Sequence, residues 1–390
     1  MRGVPLVVTA DPTGSDDRHE FDAIVALVEA RDAHEVVGLA RAMLPGDARL
    51  YVVDNGYREL VELPPDGSVG TVVELSAELR GAMLSSVRVL HDGSWWVPLP
   101  DRGHSLFVVR LDGDEPGPVE LARVAGSLLP SHLRRFDDLE RARRRDVMSV
   151  AAEVQRDVLP ARSDHLGDYD VAGILEPAYT VAGDVFDYVL SDGSVWAYSL
   201  DGMGHGTEAT ISSILTMGAI RTARRSGADL AEQMRVADRV VHEQFGGDRF
   251  VTAAGCRLGP DAVEVVNAGH EPLRTIGVGR SGRLALDSDM PLGVTGSSDY
   301  RVHVLDPLRP GEAVVMMSDG AVGARSADGA QFGADRLESS FVAHWSPRPF
   351  DVVNRVMEDV LEHVGASDVG DDITAVMVMR RQASASPPAP

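Results

Sequence analysis

The stretch from Ser199 to Gly206 constrains the fold of this chain most, because it joins a strand end, a glycine-rich turn and a helix start. Its sequence is Ser-Leu-Asp-Gly-Met-Gly-His-Gly, and its three glycines permit backbone conformations that residues with side chains resist. Asp201 places a carboxylate at the tip of the strand, and hard divalent cations prefer oxygen ligands. The stretch therefore predicts a turn that holds an ion.

Three further acidic turns lie beside apolar runs that predict strands. They are Gly183-Asp184, Ser318-Asp319-Gly320 and Asp371-Asp372-Ile373. Asp184 lies seventeen residues before Asp201, which is the length of a strand, a short turn and a return strand. Each of these short acidic sequences, taken alone, is typical of an ordinary turn. Four of them, each at a strand end, predict one shared acidic pocket.

Four clustered carboxylates repel one another unless cations neutralise them, and their charge balances two dications. We therefore predict a site for two ions of Mn²⁺ or Mg²⁺. Two such ions, about 3.5–4 Å apart, can generate a hydroxide nucleophile and hold the oxygens of an in-line phosphoryl displacement. The acidic turns thus predict metal-assisted hydrolysis of a phosphate ester.

Six motifs in this order make the chain similar to the metal-dependent protein serine/threonine phosphatases (PPM family). The branch it resembles is the bacterial SpoIIE/RsbU-like one, which is related to protein phosphatase 2C. The motifs are Gly183-Asp184, Asp201-Gly202 with Gly204-His205-Gly206, Asn267-Ala268-Gly269-His270, Pro291-Leu292-Gly293-Val294, Ser318-Asp319-Gly320 and Asp371-Asp372-Ile373-Thr374. The resemblance covers about residues 150–380. It implies an α-β-β-α sandwich of two antiparallel sheets, with metals between the sheet ends.

The resemblance also implies roles for single residues. The implied metal ligands are Asp184, Asp201, Gly202 through its carbonyl oxygen, Asp319 and Asp371. Of these, Asp184 and Asp201 are expected to be shared between the ions and to belong to the catalytic centre. Thr374 is expected to orient Asp371 or its turn. Asp187 and Asp372 stay open between a role beside the metals and a solvated position at a strand end, and the second is favoured.

The roles of several other polar residues are less constrained. His205 is a candidate general acid for the leaving serine oxygen, because the ordinary pKa of histidine is near neutral. A metal-bound water, or no acid at all, are the alternatives. His270 is expected to organise its loop, and Glu271 stands where the family usually has Asn. The basic run Arg221–Arg225 predicts a solvated cap at a helix end, with a substrate-facing patch as the alternative.

The charge and the basic residues of the chain limit its chemistry. The formal net charge is −23 over 390 residues, which argues against nucleic acid and anionic membranes as partners because both are polyanions. All 37 basic residues are Arg. The absence of Lys excludes Walker-type phosphate binding, the protein-kinase ion pair and Schiff-base chemistry.

Cys256 is the single cysteine and lies in a mainly apolar run, which predicts a buried strand thiol. No run of about 18 apolar residues predicts a spanning helix, and the N-terminus lacks a signal-peptide pattern. We therefore expect a cytoplasmic protein.

The chain is predicted to divide into four parts. The pattern of residues 1–129 predicts a helix, several strands and a closing helix. This is an α+β domain that resembles a GAF sensory domain. The pattern of residues 130–160 predicts a mainly helical linker with a break at Pro130. This linker either pairs with its copy in a homodimer or packs on the next domain with a solvated charged face. Residues 161–381 form the phosphatase-like domain, and residues 382–390 a disordered tail.

Within residues 161–381 the apolar periodicity predicts strands with long helical insertions. The predicted helices are Thr207–Arg225, Ala228–Phe245 and Asp351–Val364. The other segments predict nine strands, which fits the two stacked antiparallel sheets of the sandwich.

These features lead to one function and two alternatives. The favoured function is hydrolysis of phosphoserine or phosphothreonine by metal-bound hydroxide, without a covalent phosphoenzyme, under control of the N-terminal domain and linker. By resemblance, the substrate is a phosphorylated regulatory protein such as an anti-sigma-factor antagonist. A catalytically weak partner-switch scaffold is the first alternative, and the complete set of four Asp residues argues against it. A two-metal nucleotide enzyme such as a cyclase is the second, and it lacks a placed triphosphate-binding set.

Overall fold

The computed structural model describes residues 22, 24–44, 48–54, 58–85, 87–101, 104–113, 128–133, 135–144, 149–176, 183–204, 206–365 and 371–382. The chain forms two compact units, Met1–Arg145 and Asp146–Pro390. No helix among the described residues combines the length and the apolar character needed to cross a membrane.

The first unit is built on one antiparallel sheet. Its helices and strands are α1 (Ala33–Ala42), β1 (Arg49–Val53), β2 (Glu59–Glu62), β3 (Val72–Glu74), α2 (Ala77–Ser85), β4 (Val89–His91), β5 (Ser94–Asp101), β6 (His104–Asp112) and α3 (Asp137–Arg143). The strand order is β3-β2-β1-β6-β5-β4. One apolar cluster includes Leu50 of β1, Val36 of α1 and Leu139 of α3. A second cluster includes Tyr51 of β1 and Leu79 of α2.

Because adjacent residues of a strand face opposite sides, Leu50 and Tyr51 place the two clusters on opposite faces of the sheet. The unit therefore has the predicted α+β character. Its resemblance to a GAF domain stays a prediction.

The second unit contains two antiparallel sheets and six helices among its described residues. Its elements are α4 (Val150–Val158), β7 (Ser163–Leu166), β8 (Tyr169–Glu176), β9 (Asp184–Ser191), β10 (Ser194–Gly202), α5 (Thr207–Arg225), α6 (Leu230–Phe245), β11 (Val251–Leu258), β12 (Val263–Ala268), β13 (Arg274–Gly277), β14 (Arg280–Arg283), β15 (His303–Leu305), β16 (Ala313–Met317), α7 (Asp319–Gly323), α8 (Ala334–Ala343), α9 (Pro349–Val364) and β17 (Ile373–Arg380).

The two sheets of this unit stack face to face. Their strand orders are β15-β12-β11-β10-β9 and β14-β13-β16-β17-β8-β7. Phe186 and Cys256 of the first sheet share an apolar cluster with Val314 and Val376 of the second. Helices α5 and α6 cover the other face of the five-stranded sheet, and α9 packs on β8 and β17. The predicted α-β-β-α sandwich is confirmed.

The helix ends follow local capping rules. Helix α5 has the predicted bounds, whereas α6 begins at Leu230 because the Asp229 side chain accepts a hydrogen bond from the N–H of Glu232 at 2.8 Å. Helix α9 begins earlier than predicted, at Pro349, a residue suited to a first helical turn. The strands β7 and β14 and the helices α7 and α8 are not among the predicted elements.

The described part of the segment predicted as a mainly helical linker includes the separate helices α3 and α4. Arg144 after α3 has an extended backbone, with φ −86° and ψ 111°. Arg143 of α3 donates a hydrogen bond to the carbonyl oxygen of Val53 at 2.9 Å, within the first unit. Helix α4 packs on α5, within the second unit. Each helix therefore belongs to a different unit.

Candidate metal centre

A tight hairpin sets the register of the first two predicted ligands. The turn between β9 and β10 consists of Asp192 and Gly193, both with positive φ (50° and 73°), as the two-residue turns favoured in hairpins require. With Ser191 opposite Ser194, the pairing continues until Asp184 lies opposite Asp201. Directly opposed residues have Cβ atoms about 4.5–5.5 Å apart. The predicted meeting of these two carboxylates is confirmed.

The other two predicted ligands lie at neighbouring strand ends of the six-stranded sheet. The N–H of Ser318 donates to the carbonyl oxygen of Thr374 at 3.0 Å. The N–H of Thr374 donates to Ser318 Oγ at 2.8 Å. This pair joins the end of β16 to the start of β17, so that Asp319 and Asp371 follow and precede adjacent strands. We call Asp184, Asp201, Asp319, Asp371 and Asp372 the acidic edge.

Asp372 connects the two sheets, and the prediction that it is solvated is wrong. Its side chain is buried, and Oδ2 accepts hydrogen bonds from the N–H groups of Gly183 at 2.8 Å and Asp184 at 3.1 Å. These partners are 189 and 188 residues away in the chain, so local sequence does not reveal them. Asp372 thereby fixes the backbone that carries Asp184.

Asp187 is also buried, which corrects the prediction of a solvated strand-end position. Its carboxylate accepts from Arg221 at 2.8 and 3.1 Å and from Arg224 at 3.4 Å. Arg221 also donates to the carbonyl oxygen of Val158 at 2.9 Å. These two arginines are therefore not a solvated cap, as the run Arg221–Arg225 had suggested. They join β9, α5 and the last residue of α4.

Burial and mutual repulsion keep the acidic edge from full ionisation. The pKa of Asp184 is raised well above its ordinary value, first by burial and then by the charges of Asp201 and Asp372. Burial, followed by the charges of Asp319 and Asp371, raises the pKa of Asp201 to about 7. Burial raises the pKa of Asp372 to about 6, although hydrogen bonds from two backbone N–H groups oppose the shift. A bound cation would relieve this repulsion.

The donor chemistry of the acidic edge fits a hard dication. Asp184 Oδ2 and Asp372 Oδ1 are buried and have no hydrogen-bond partner in the structure, and such oxygens are ligands for Mn²⁺ or Mg²⁺. Among the described residues, no group of three or more His, Cys, Asp or Glu side chains could hold a metal ion as it stands. The ligand set of Asp184, Asp201, Gly202, Asp319 and Asp371 therefore stays a prediction.

Gly202 is required by the packing of α5. A Cβ atom on this residue would lie 2.4 Å from Ser213 Oγ and 2.6 Å from the carbonyl oxygen of Ala209. Its N–H donates to the carbonyl oxygen of Gly183 at 3.1 Å, and Ser213 Oγ donates to the same oxygen. These contacts bring the start of α5 onto the acidic edge.

Gln155 is a residue of the site that the sequence analysis missed. It is buried on α4, and its side-chain amide donates to the carbonyl oxygen of Asp184. Its only signal was its position in the run Gln155–Pro160 that leads into the second unit. Through this contact, α4 touches the strand that carries a predicted ligand.

His270 organises its loop. Its N–H donates to Asn267 Oδ1 at 2.8 Å, and Asn267 Nδ2 donates to its carbonyl oxygen at 3.0 Å. The imidazole Nδ1 donates to the carbonyl oxygen of Glu271 at 3.1 Å, which leaves Nε2 to accept from Ser199 Oγ at 3.1 Å. Burial lowers its pKa, so the ring is neutral near pH 7. His205 lies outside the described residues.

Glu271 has an internal partner. Its carboxylate accepts from Arg274 Nη2 at 3.1 Å and lies 3.6 Å from Arg283 Nη2. The Arg274 side chain is fully buried. Glu271 therefore balances a buried cation.

Comparisons with known proteins find several that are similar to this chain. The sequence model of the family described as Stage II sporulation protein E (SpoIIE) matches residues 191–381. Protein IcfG of Synechocystis is 21% identical over 262 residues, which cover 58% of this chain and 40% of IcfG. The phosphoserine phosphatase RsbU of Bacillus subtilis is 22% identical over 237 residues, 60% of this chain and 70% of RsbU.

Among solved structures, the SiaA-PP2C domain of Pseudomonas aeruginosa aligns with a TM-score of 0.52 and 22% identity, over 60% of this chain and 94% of that domain. The second unit thus has the fold of the PP2C-like phosphatase domains. The range matched by the SpoIIE family model, residues 191–381, lies within this unit. Asp201, Asp319 and Asp371 lie inside the matched range, and Asp184 lies seven residues before it.

Proposed function

We propose that the second unit is a metal-dependent phosphatase that hydrolyses phosphoserine or phosphothreonine on a protein. The observation that carries the proposal is the pairing of Asp184 with Asp201 at the edge where Asp319 and Asp371 end the second sheet. Like charges placed directly opposite each other destabilise a sheet, and bound cations would remove this cost. The similarity to the phosphoserine phosphatase RsbU supports the same reaction.

Two ions of Mn²⁺ or Mg²⁺ would be held by Asp184, Asp201, Asp319 and Asp371, with the Gly202 carbonyl oxygen. When bound, such ions activate water and offset the charge of the phosphate. Asp372 and Gln155 position the backbone of Asp184.

The protein offers no cysteine nucleophile for a covalent intermediate. Cys256 is buried in β11, as predicted, and burial raises its pKa to about 12, which suppresses the reactive thiolate. We propose direct attack by water on the phosphorus, without a covalent phosphoenzyme. His205 is the candidate donor of a proton to the leaving serine oxygen.

The substrate and the regulation form the finer part of the proposal. We propose a phosphorylated regulatory protein as substrate, such as an anti-sigma-factor antagonist, in the cytoplasm. The first unit and α4 are proposed to control activity. Val150 and Val154 on α4 are 74% and 45% exposed, and these apolar side chains support pairing of α4 with its copy in a homodimer.

The test is hydrolysis of p-nitrophenyl phosphate and a phosphoserine peptide with and without Mn²⁺. Asp201→Asn is the test variant, and Asp261→Asn is the control, because Asp261 is an exposed residue in the hairpin at the other end of the same sheet. We expect turnover to depend on the metal and to fall at least about 100-fold in Asp201→Asn. This fall corresponds to an increase of roughly 2.7 kcal/mol in the activation free energy. Asp261→Asn is expected to keep full activity.

The scaffold alternative is kept for one reason: the described residues contain no ready-formed group of three metal ligands. Folded protein that binds Mn²⁺ in calorimetry but turns over neither substrate would favour the scaffold. Turnover that is independent of metal, or unchanged in Asp201→Asn, would contradict the phosphatase proposal.

A further inference from the structure

A polar pocket of about 570 Å³ lies in the segment that connects β14 to β15. The residues that line it include Ser288, Asp289, Met290, Ser297 and Asp299. The Met290 side chain is half exposed. The pocket therefore combines polar groups with an apolar contact, as peptide-binding subsites do.

The pocket lies at the same end of the five-stranded sheet as the acidic edge. Leu292 exchanges two backbone hydrogen bonds of 2.9 Å with Val251, which lies opposite Gly202. Asp289 donates its N–H to the carbonyl oxygen of Asn267, near the end of β12, at 2.9 Å. Because neighbouring strands are about 4.8 Å apart, Leu292 is about 10 Å from Gly202.

Helix α6 holds the wall of the pocket in place. The fully buried carboxylate of Asp238 accepts from the N–H of Gly293 at 2.7 Å and from that of Ser298 at 3.0 Å. His242 Nδ1 donates to the carbonyl oxygen of Gly293 at 3.0 Å. A wall held by a buried carboxylate at two points is a preformed surface, which lowers the entropic cost of binding.

The charge of the pocket favours a cationic group. Its lining contains no basic side chain, and Asp289 is already paired with Arg301 at 3.2 Å. Asp299 differs, because its side chain is 97% exposed and its nearest cation, Arg235, lies 3.9 Å away. Arg235 in turn bonds Glu232 at 2.8 Å. Asp299 thus presents a negative charge to a ligand.

We propose that this pocket binds the substrate segment beside the phosphorylated serine and selects an arginine or lysine in that segment through Asp299. The inference rests on the proposed phosphatase function and adds a specificity determinant to it. Leu292, which lies in the chain between the lining residues Met290 and Thr295, is about 10 Å from Gly202 at the end of β10. An extended peptide spans about 3.3 Å per residue, so at least about three residues are needed to reach from the end of β10 to the pocket. We therefore expect the basic side chain three or more positions from the phosphoserine.

The test compares two sets of fluorescent phosphoserine peptides, one with Arg and one with Glu at the third and fourth positions on either side. Turnover with Mn²⁺ and binding by fluorescence anisotropy are both measured, and p-nitrophenyl phosphate is the substrate that cannot reach the pocket. The variants are Asp299→Arg and Asp261→Arg. Both change the net charge equally, but only the first alters the pocket.

We expect the wild-type protein to prefer Arg peptides over Glu peptides about two- to fivefold, as an exposed ion pair allows. Asp299→Arg abolishes or reverses that preference, whereas Asp261→Arg and the turnover of p-nitrophenyl phosphate are unchanged. Equal preference in both variants would overturn the inference. If no substrate is turned over, the phosphatase proposal fails, and the anisotropy preference still decides the role of the pocket.

Discussion

The carboxyl groups of Asp201 and Asp372 take up protons more readily in the folded protein than in an unfolded chain. Their pKa values are raised to about 7 and about 6, against an ordinary value of about 3.9. A raised carboxyl pKa means that folding favours the protonated form. The resulting stabilisation is complete below about pH 4 and is lost as the pH rises through 6 and 7.

We therefore predict that the metal-free protein melts at a lower temperature at pH 8 than at pH 5.5. For a unit of this size, each kcal/mol lost lowers Tm by about 2–4 °C. The measurement is differential scanning calorimetry with a chelator. Asp201→Asn should reduce the pH dependence, and saturating Mn²⁺ should raise Tm most at pH 8.

The control for this experiment is Asp261→Asn, which removes one negative charge away from the acidic edge. It should keep the wild-type pH dependence. A pH dependence that is the same in Asp201→Asn and in the control would show that the general negative charge of the protein causes it.

At the scale of elements, helix α5 depends on the absence of a side chain at the end of β10. Gly202→Ala would place a methyl group against Ser213 Oγ and the backbone of Ala209. We predict a loss of about 1–3 kcal/mol of unfolding free energy, as for other overpacked sites. Urea unfolding followed by circular dichroism measures it.

Gly218→Ala is the matched control, because Gly218 lies on the exposed side of α5 and an added methyl group there would have no neighbouring atom within 4 Å. It should gain about 0.5–1 kcal/mol, since alanine is the better helix former. Equal effects of both substitutions would contradict the packing argument.

Prediction from the sequence is correct where the deciding contacts are local. The distance between Asp184 and Asp201 predicted their pairing, since a two-residue turn fixes the register of a hairpin. It failed for Asp187 and Asp372, because the arginines and N–H groups that bind them come from remote segments. The local sequence around an Asp at a strand end does not show whether water or a buried N–H group faces its carboxylate.

At the scale of the whole molecule, the second compact unit begins at Asp146 and therefore includes helix α4. Helix α4 contributes the buried side chains of Ala151, Ala152 and Gln155. We predict that residues 146–390 fold alone, and that residues 161–390 are less stable by about 2–5 kcal/mol. Thermal unfolding of both fragments measures the difference. Equal stability would show that α4 is dispensable for the fold.

Cys256 lies at the centre of the sandwich and is fully buried, and it is the single thiol among 390 residues. A thiol reagent can therefore reach the protein only when the second unit opens, and the first unit contributes nothing to the signal. The rate at which the reagent labels the unmodified protein therefore measures the opening of the second unit alone. Slower labelling in the presence of Mn²⁺ would report, without any engineered probe, that an ion holds the two sheets together.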